Sequence, residues 1–306
     1  MRMIRVASRK SLLAMTQTRQ VIQQLQSFFP DTEFQIIPVV TQGDRILDVS
    51  LSKIGGKGLF VSEVEQQLLQ EQADMAVHSL KDVPAELADG LVIAAYPNRV
   101  DARDALITKK ANAIHNLPQG SVIGTSSLRR MAQLKHLRND LQIKLLRGNI
   151  DTRLNKLESG EYDAILLAAA GLIRMGWEDR ITERIDPMHI LPAIGQGILA
   201  VECRDQDSSL KEMLQSLHCR QTEQVALAER ALLHSLNGGC QVPIAGYAEW
   251  QNGTLVLTGL VASEDGEVIY QVKESLSSRM SSVDLGQMVA KKLLEKGADQ
   301  ILQKYS

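Results

Sequence analysis

Aromatic side chains make up only 4% of the 306 residues, and cysteine appears three times. So few flat rings leave little with which to stack bases, and a net charge of −2 offers no generally basic face to a nucleic-acid backbone. No apolar run approaches the length that spans a bilayer. The chain starts Met1-Arg2-Met3-Ile4-Arg5-Val6, which runs straight into a strand without the apolar core of a secretory leader. Cys203, Cys219 and Cys240 lack paired spacing and suggest no disulfide framework. A cytoplasmic, reduced setting follows, with no membrane or nucleic-acid partner.

What is present is the composition of a globular protein, 44% hydrophobic and 23% charged, long enough for two or three domains. Ile4 to Ser8 reads as a strand, and Ser11 as the cap of a helix carrying Leu12, Met15, Ile22 and Leu25 at helical spacing. Phe34 to Val40 and Met75 to His78 read as further strands, with a helix over 59–70 between them. Strand alternating with helix predicts a parallel sheet, whose ligands bind at the carboxyl ends of strands. Polar segments fall at those ends: Ser8-Arg9-Lys10-Ser11, Thr41-Gln42-Gly43-Asp44 and His78-Ser79-Leu80-Lys81-Asp82-Val83-Pro84. There Asp82 is either a loop charge or an acid–base group. The glycine-rich segment Lys53 to Phe60 lacks the order of a phosphate loop, which leaves a cationic cover over an anion or a plain surface loop.

The alternation resumes after Pro97. Ser121 to Thr125, Leu141 to Leu146 and Asp163 to Ala168 read as strands, and Thr125-Ser126-Ser127 places hydroxyls at a helix start, where backbone N–H groups favour an anion. From Thr125 to Arg153 seven cations face two acids in a chain that is net negative. Lys135 and Arg138 read as a solvated helix face. Arg129, Arg130, Arg147, Arg153 and Arg174 follow strands or open helices, where guanidinium forks can grip planar carboxylates. Pro192 to Gly197 marks a return crossing, after which Ile198 to Glu202 reads as a strand of the first sheet. Its Gly195-Gln196-Gly197 precedes a strand and so fails as a dinucleotide fingerprint. Two crossings predict two α/β lobes around a cleft, able to hinge.

Beyond residue 200 come helices over 208–217 and 221–236, then Asn237-Gly238-Gly239-Cys240-Gln241-Val242-Pro243. Two glycines before the cysteine and a proline after it put a thiol on a tight loop, either as a small buried hydrophobe or as a reactive group. Three strands joined at Asn252-Gly253 and Asp265-Gly266 and a helix over 282–304 complete an α+β domain.

Five of these segments, in order and over almost the whole chain, resemble the porphobilinogen deaminase family: 78–84, Gly124 to Arg130, Leu146-Arg147-Gly148-Asn149, 192–197 and 238–243. The resemblance implies two periplasmic-binding-protein-like α/β lobes with a double hinge crossing, 1–97 plus 198–217 and 98–197, and a smaller C-terminal α+β domain, 218–306. It implies a monomeric transferase that joins four porphobilinogen molecules head to tail with loss of ammonia, then hydrolyses off hydroxymethylbilane. The primer would be a dipyrromethane cofactor, held by Cys240 through a thioether. Asp82 would assist loss of ammonia and stabilise positive charge on the pyrrole nitrogen. Around the cofactor the resemblance places Ser11, Asp44, Lys57, Lys81, Thr125, Ser127, Arg129, Arg130, Arg147 and Gly148. Around the substrate it places Arg9, Gln17, Lys53, Phe60, Ser79, Ser126, Arg153, Arg174 and Gln196. No metal is implied. The chain departs from the family pattern at Ala102, where many relatives carry proline, and at Leu106, which replaces an aromatic; both sit near the first crossing. A binding protein would need neither Asp82 nor a reactive cysteine, and a cysteine hydrolase would need His234 or His78 beside Cys240.

Overall fold

The computed structural model describes residues 3–45, 61–238 and 242–305. In chain order the elements are β1 (Ile4–Arg9), α1 (Leu12–Phe28), β2 (Phe34–Val39), α2 (Gln42–Arg45), α3 (Ser62–Leu69), β3 (Met75–Ser79), β4 (Leu91–Ala95) and β5 (Asp104–Thr108). They continue with β6 (Val122–Gly124), α4 (Leu128–Leu137), β7 (Gln142–Lys144), α5 (Ile150–Glu158), β8 (Ala164–Ala168), α6 (Ala169–Arg174) and β9 (Glu183–Arg184). Next are β10 (Leu199–Arg204), α7 (Ser208–Leu214) and α8 (Arg220–Ser235). Last come β11 (Ile244–Gln251), β12 (Thr254–Ala262), β13 (Ile269–Ser275), α9 (Ser282–Glu295) and α10 (Ala298–Leu302). Two compact units result. One takes in the described residues as far as Val100 and then Ile198–Glu223; the other takes in Asp101–Gly197 and Gln224–Ser306.

In the first unit the strands lie in the order β2-β1-β3-β10-β4. Helix α1 starts where Ser11 caps it, the hydroxyl accepting from the Ala14 N–H at 3.3 Å. Its stripe of Val21, Ile22 and Leu25 packs on one sheet face with Ile4, Val6, Met75, Val77 and Val201. The other face carries Ala7 and Ala76 against Val64 and Leu68 of α3. Covering both faces explains why β3 reads as a nearly unbroken apolar run. Truncating the fully buried Leu25 to alanine removes about 2–5 kcal/mol of stability.

Strand order in the second unit, β7-β6-β8-β5-β9, follows the same plan. Leu106, Ile123, Leu134 and Leu166 pack on one side of this sheet, and Ile107, Ile165, Leu167 and Leu172 on the other. The sequence predicts parallel sheets, and β1, β2, β3 and β6, β7, β8 do run parallel. Strands β10 and β5 instead run antiparallel to β3 and β8. Each enters its sheet from a crossing segment, so no right-handed helical crossover dictates its direction.

The same unit holds the antiparallel sheet β11-β12-β13. Its first hairpin turns at Asn252 and Gly253, both with positive φ (49° and 79°), the backbone that an Asn-Gly pair tolerates. Ser281 and Asp284 form a capping box that starts α9. The final helix is not continuous as the leucine spacing predicts. Gly297 adopts a left-handed φ of 104° after Glu295 and re-aims the chain into the short α10. The architecture is therefore two α/β lobes and a smaller C-terminal sheet-and-helix domain.

Candidate active-site residues

In the first unit the carboxyl ends of β1 and β3 are adjacent strand ends. Arg9 closes β1 and Ser79 closes β3. The buried amide of Gln17 on α1 donates to the Ser79 hydroxyl at 3.1 Å, fixing where the strand stops. The chain then tightens into a 3-10 turn, Leu80–Asp82. The Val83 N–H closes it on the Leu80 carbonyl at 3.0 Å, and the Leu80 N–H bonds the Ile198 carbonyl at 2.9 Å. This brings an Asp82 oxygen to 4.0 Å from the Arg9 guanidinium, with side chains 31% and 20% exposed. At that spacing and exposure the pair contributes at most about 1 kcal/mol. Lys81 lies on the same turn.

Beneath this edge a second acid is enclosed. Glu202 on β10 receives His78 of β3 at 2.9 Å, with both side chains almost wholly buried. The second Glu202 carboxylate oxygen has no hydrogen-bond partner among the described residues. The His78 imidazole is enclosed within the sheet, with its Nε2 on that acid.

In the second unit the hydroxyls at the start of α4 are each engaged with backbone. The Ser127 N–H donates to Thr125 Oγ1 at 3.3 Å, Ser127 caps the helix by accepting from the Arg130 N–H, and Ser126 donates to the Leu146 carbonyl. Arg129 and Arg130, expected on an open ligand edge, are buried and share one carboxylate, that of Asp104 at the start of β5. Burial by itself would raise the Asp104 carboxyl, but the two guanidinium groups reverse this and hold it well below the usual carboxylate range. Gln196 joins them, giving its amide to Asp104 at 2.9 Å and to the Ala102 carbonyl at 2.7 Å. Nothing in the sequence marked Asp104 for this role; its only signal was an acid opening the apolar run Ala105-Leu106-Ile107.

The remaining arginines are held one by one. Arg153 on α5 donates to the Gly148 carbonyl at 2.7 Å, where Gly148 has a φ of 116°. Arg147 is buried, and burial lowers its pKa. Arg174, at the end of α6, donates to the Gly197 carbonyl at 2.8 Å, and burial brings it down to about 10, still charged at neutral pH. Cys240, Lys53, Lys57 and Phe60, together with the Asp44 side chain, lie outside the described residues.

Each α/β unit carries cations and hydroxyls near its strand ends, and the first adds a partly exposed carboxylate, the donor set of a class of protein that handles small polyanionic ligands. Comparison with known proteins narrows the class. Residues 4–212 match the family model described as porphobilinogen deaminase, dipyromethane cofactor binding domain, and residues 224–295 match the porphobilinogen deaminase C-terminal domain. The porphobilinogen deaminase of Geobacillus kaustophilus is 54% identical over 99% of this chain and 98% of its own length; that of Bacillus subtilis is 53% identical over 99% and 96%. Among solved structures, a periplasmic substrate-binding protein from Coxiella burnetii covers 72% of this chain and 94% of its own, at 14% identity and a TM-score of 0.45. The chain belongs to the porphobilinogen deaminase family.

Proposed function

We propose that this chain joins four porphobilinogen molecules head to tail, releasing one ammonia at each step, and then frees linear hydroxymethylbilane by hydrolysis. The observation that carries the reading is Asp82, a half-exposed carboxylate at a strand's carboxyl end with Arg9 beside it, in a chain of this family. As ammonia leaves porphobilinogen, positive charge spreads onto the pyrrole nitrogen. Asp82 accepts that N–H and stabilises the charge where it develops. It then takes up the proton released when the carbon–carbon bond forms. Arg9 offers its fork to a substrate carboxylate.

The family's dipyrromethane cofactor bears acetate and propionate arms, and the residues of the second unit suit them. Arg129 keeps a buried Nε without a hydrogen-bond partner among the described residues, and Arg147, Arg153 and Arg174 are anchored by burial or by backbone bonds. Arg129, Arg130, Arg147, Thr125 and Ser127 hold the arms, and Cys240 anchors the group through a thioether, a bond that resists hydrolysis. When bound, the cofactor supplies the pyrrole carbon to which the first unit is joined. Cys240 must stay a thiol until it is alkylated, which supports a reducing, cytoplasmic setting. We take the working form to be a monomer.

Intact mass tests this. Fresh protein should exceed its chain mass by a two-pyrrole unit and gain equal one-unit steps on brief exposure to porphobilinogen. A bare chain mass throughout rejects the proposal.

A further inference from the structure

Among the buried acids of the second unit, Asp104 has no exposed surface and no role in the chemistry above. Arg129 grips it with the terminal edge of its guanidinium, Nη1 at 2.7 Å and Nη2 at 3.2 Å, and Nη1 also reaches the Leu191 carbonyl at 2.6 Å. Arg130 grips it with the other kind of edge, Nε at 3.0 Å and Nη2 at 2.7 Å, and sends Nη1 to the Leu166 carbonyl at 2.9 Å. One carboxylate therefore occupies one edge of each fork and cancels one of two charges. The Nε side of Arg129 is left buried and without a hydrogen-bond partner among the described residues.

The cluster is also tied to the return segment. Gln196 completes the shell of Asp104. Its neighbour Gly195 donates its N–H to the buried Glu229 on α8 at 2.6 Å, and Glu229 also receives the Ala248 N–H at 2.8 Å. Without Asp104 two like charges would sit side by side out of water, which costs both geometry and desolvation. A ligand carboxylate would then be drawn into the place of Asp104 instead of stopping at the outer edge of the forks.

We propose that Asp104 is a positioning residue: it presents Arg129 and Arg130 as a fixed, singly charged fork to one carboxylate arm of the dipyrromethane during loading of the chain. The inference rests on the function proposed above. It gives an acid that touches neither substrate nor cofactor a measurable effect on how readily the chain acquires its primer.

The test uses the full-length chain expressed without porphobilinogen and then titrated with it, loading being read by intact mass and folding by circular dichroism and thermal melting. Asp104→Asn keeps the shape and removes the charge. The concentration for half-maximal loading should rise about tenfold or more, the size of one lost charged hydrogen bond, while the plateau reaches the wild-type level. A purely structural ion pair predicts the reverse, an unloadable fraction with an unchanged half-maximal concentration, and that result overturns the proposal. Should Asp104→Asn fail to fold, Gln196→Leu decides, since it keeps both ion pairs and removes the amide bonds to Asp104 and to the Ala102 carbonyl. A rise of about two- to fivefold supports the inference and no rise overturns it. A wild-type chain that never gains mass would overturn the proposed function itself, an outcome distinct from any difference between variants.

Discussion

Helix α9 touches α8 through Gly286, and the contact is tight enough to predict a reversal of the usual helix rule. A methyl group placed there would lie 2.3 Å from the Ala228 carbonyl oxygen, 2.7 Å from the Ala231 Cβ and 2.8 Å from the Leu232 nitrogen. Ordinary contact begins near 3.4 Å, so α9 would have to withdraw by about 1 Å from backbone that cannot yield. Exchanging glycine for alanine in a helix interior normally gains about 1 kcal/mol. Overpacking costs about 1–3 kcal/mol, and here the withdrawal also loosens Leu285, Val289 and Leu293, all fully buried. The balance for Gly286→Ala is a loss of about 2 kcal/mol. In a protein of this size that lowers Tm by about 4–8 °C. Calorimetry reads it directly, with denaturant midpoints as a second measure. A Tm that is unchanged or raised would mean that the two helices are not in backbone contact at this point, and the reasoning would fail. Because the Cys240 segment follows α8 in the sequence, primer loading is worth measuring in the same variant.

Four further outcomes follow. Asp82→Asn should keep its covalently bound primer yet lose about two to four orders of magnitude in turnover, as expected on removing an acid–base group; rates within threefold of wild type would end that assignment. Cys240→Ser should show only the bare chain mass, and a stable increment on the variant would place the anchor elsewhere. Truncating His78 to alanine leaves Glu202 buried without its partner and should cost about 3–5 kcal/mol in denaturant titrations, whereas a loss under 1 kcal/mol would show the pair to be dispensable. Acid should destabilise the fold below about pH 4. Asp104, held low by its two arginines despite burial, and Asp163, held low first by Lys110, favour the ionised form when folded, so their contribution is present above the unfolded carboxyl pKa and is lost as pH falls through the folded values. Glu65, raised by burial and then by Glu202, acts in the opposite sense and blunts the slope just above that range. Stability that stays flat from pH 5 to pH 2 would contradict the ion-pair account.

Much of this molecule could be read one short segment at a time. The Ser11 cap, the helical stripe behind it, the Asn252-Gly253 turn and the polar segments closing β1 and β3 are all set by neighbours within a few residues. Such features depend on local dihedral preference and periodicity, so sequence alone determined the alternation of strand and helix and the position of Asp82 just beyond a strand. The direction of β5 and β10 was settled by what the chain packs against. Partners of buried charges were hidden for the same reason. Arg129 reaches Asp104 across 25 residues, Gly195 reaches Glu229 across 34 and His78 meets Glu202 across 124. A surplus of arginine was plain in the sequence, but whether a guanidinium faces solvent, a ligand or an internal acid is decided by desolvation, and only the folded chain determines which groups leave water together.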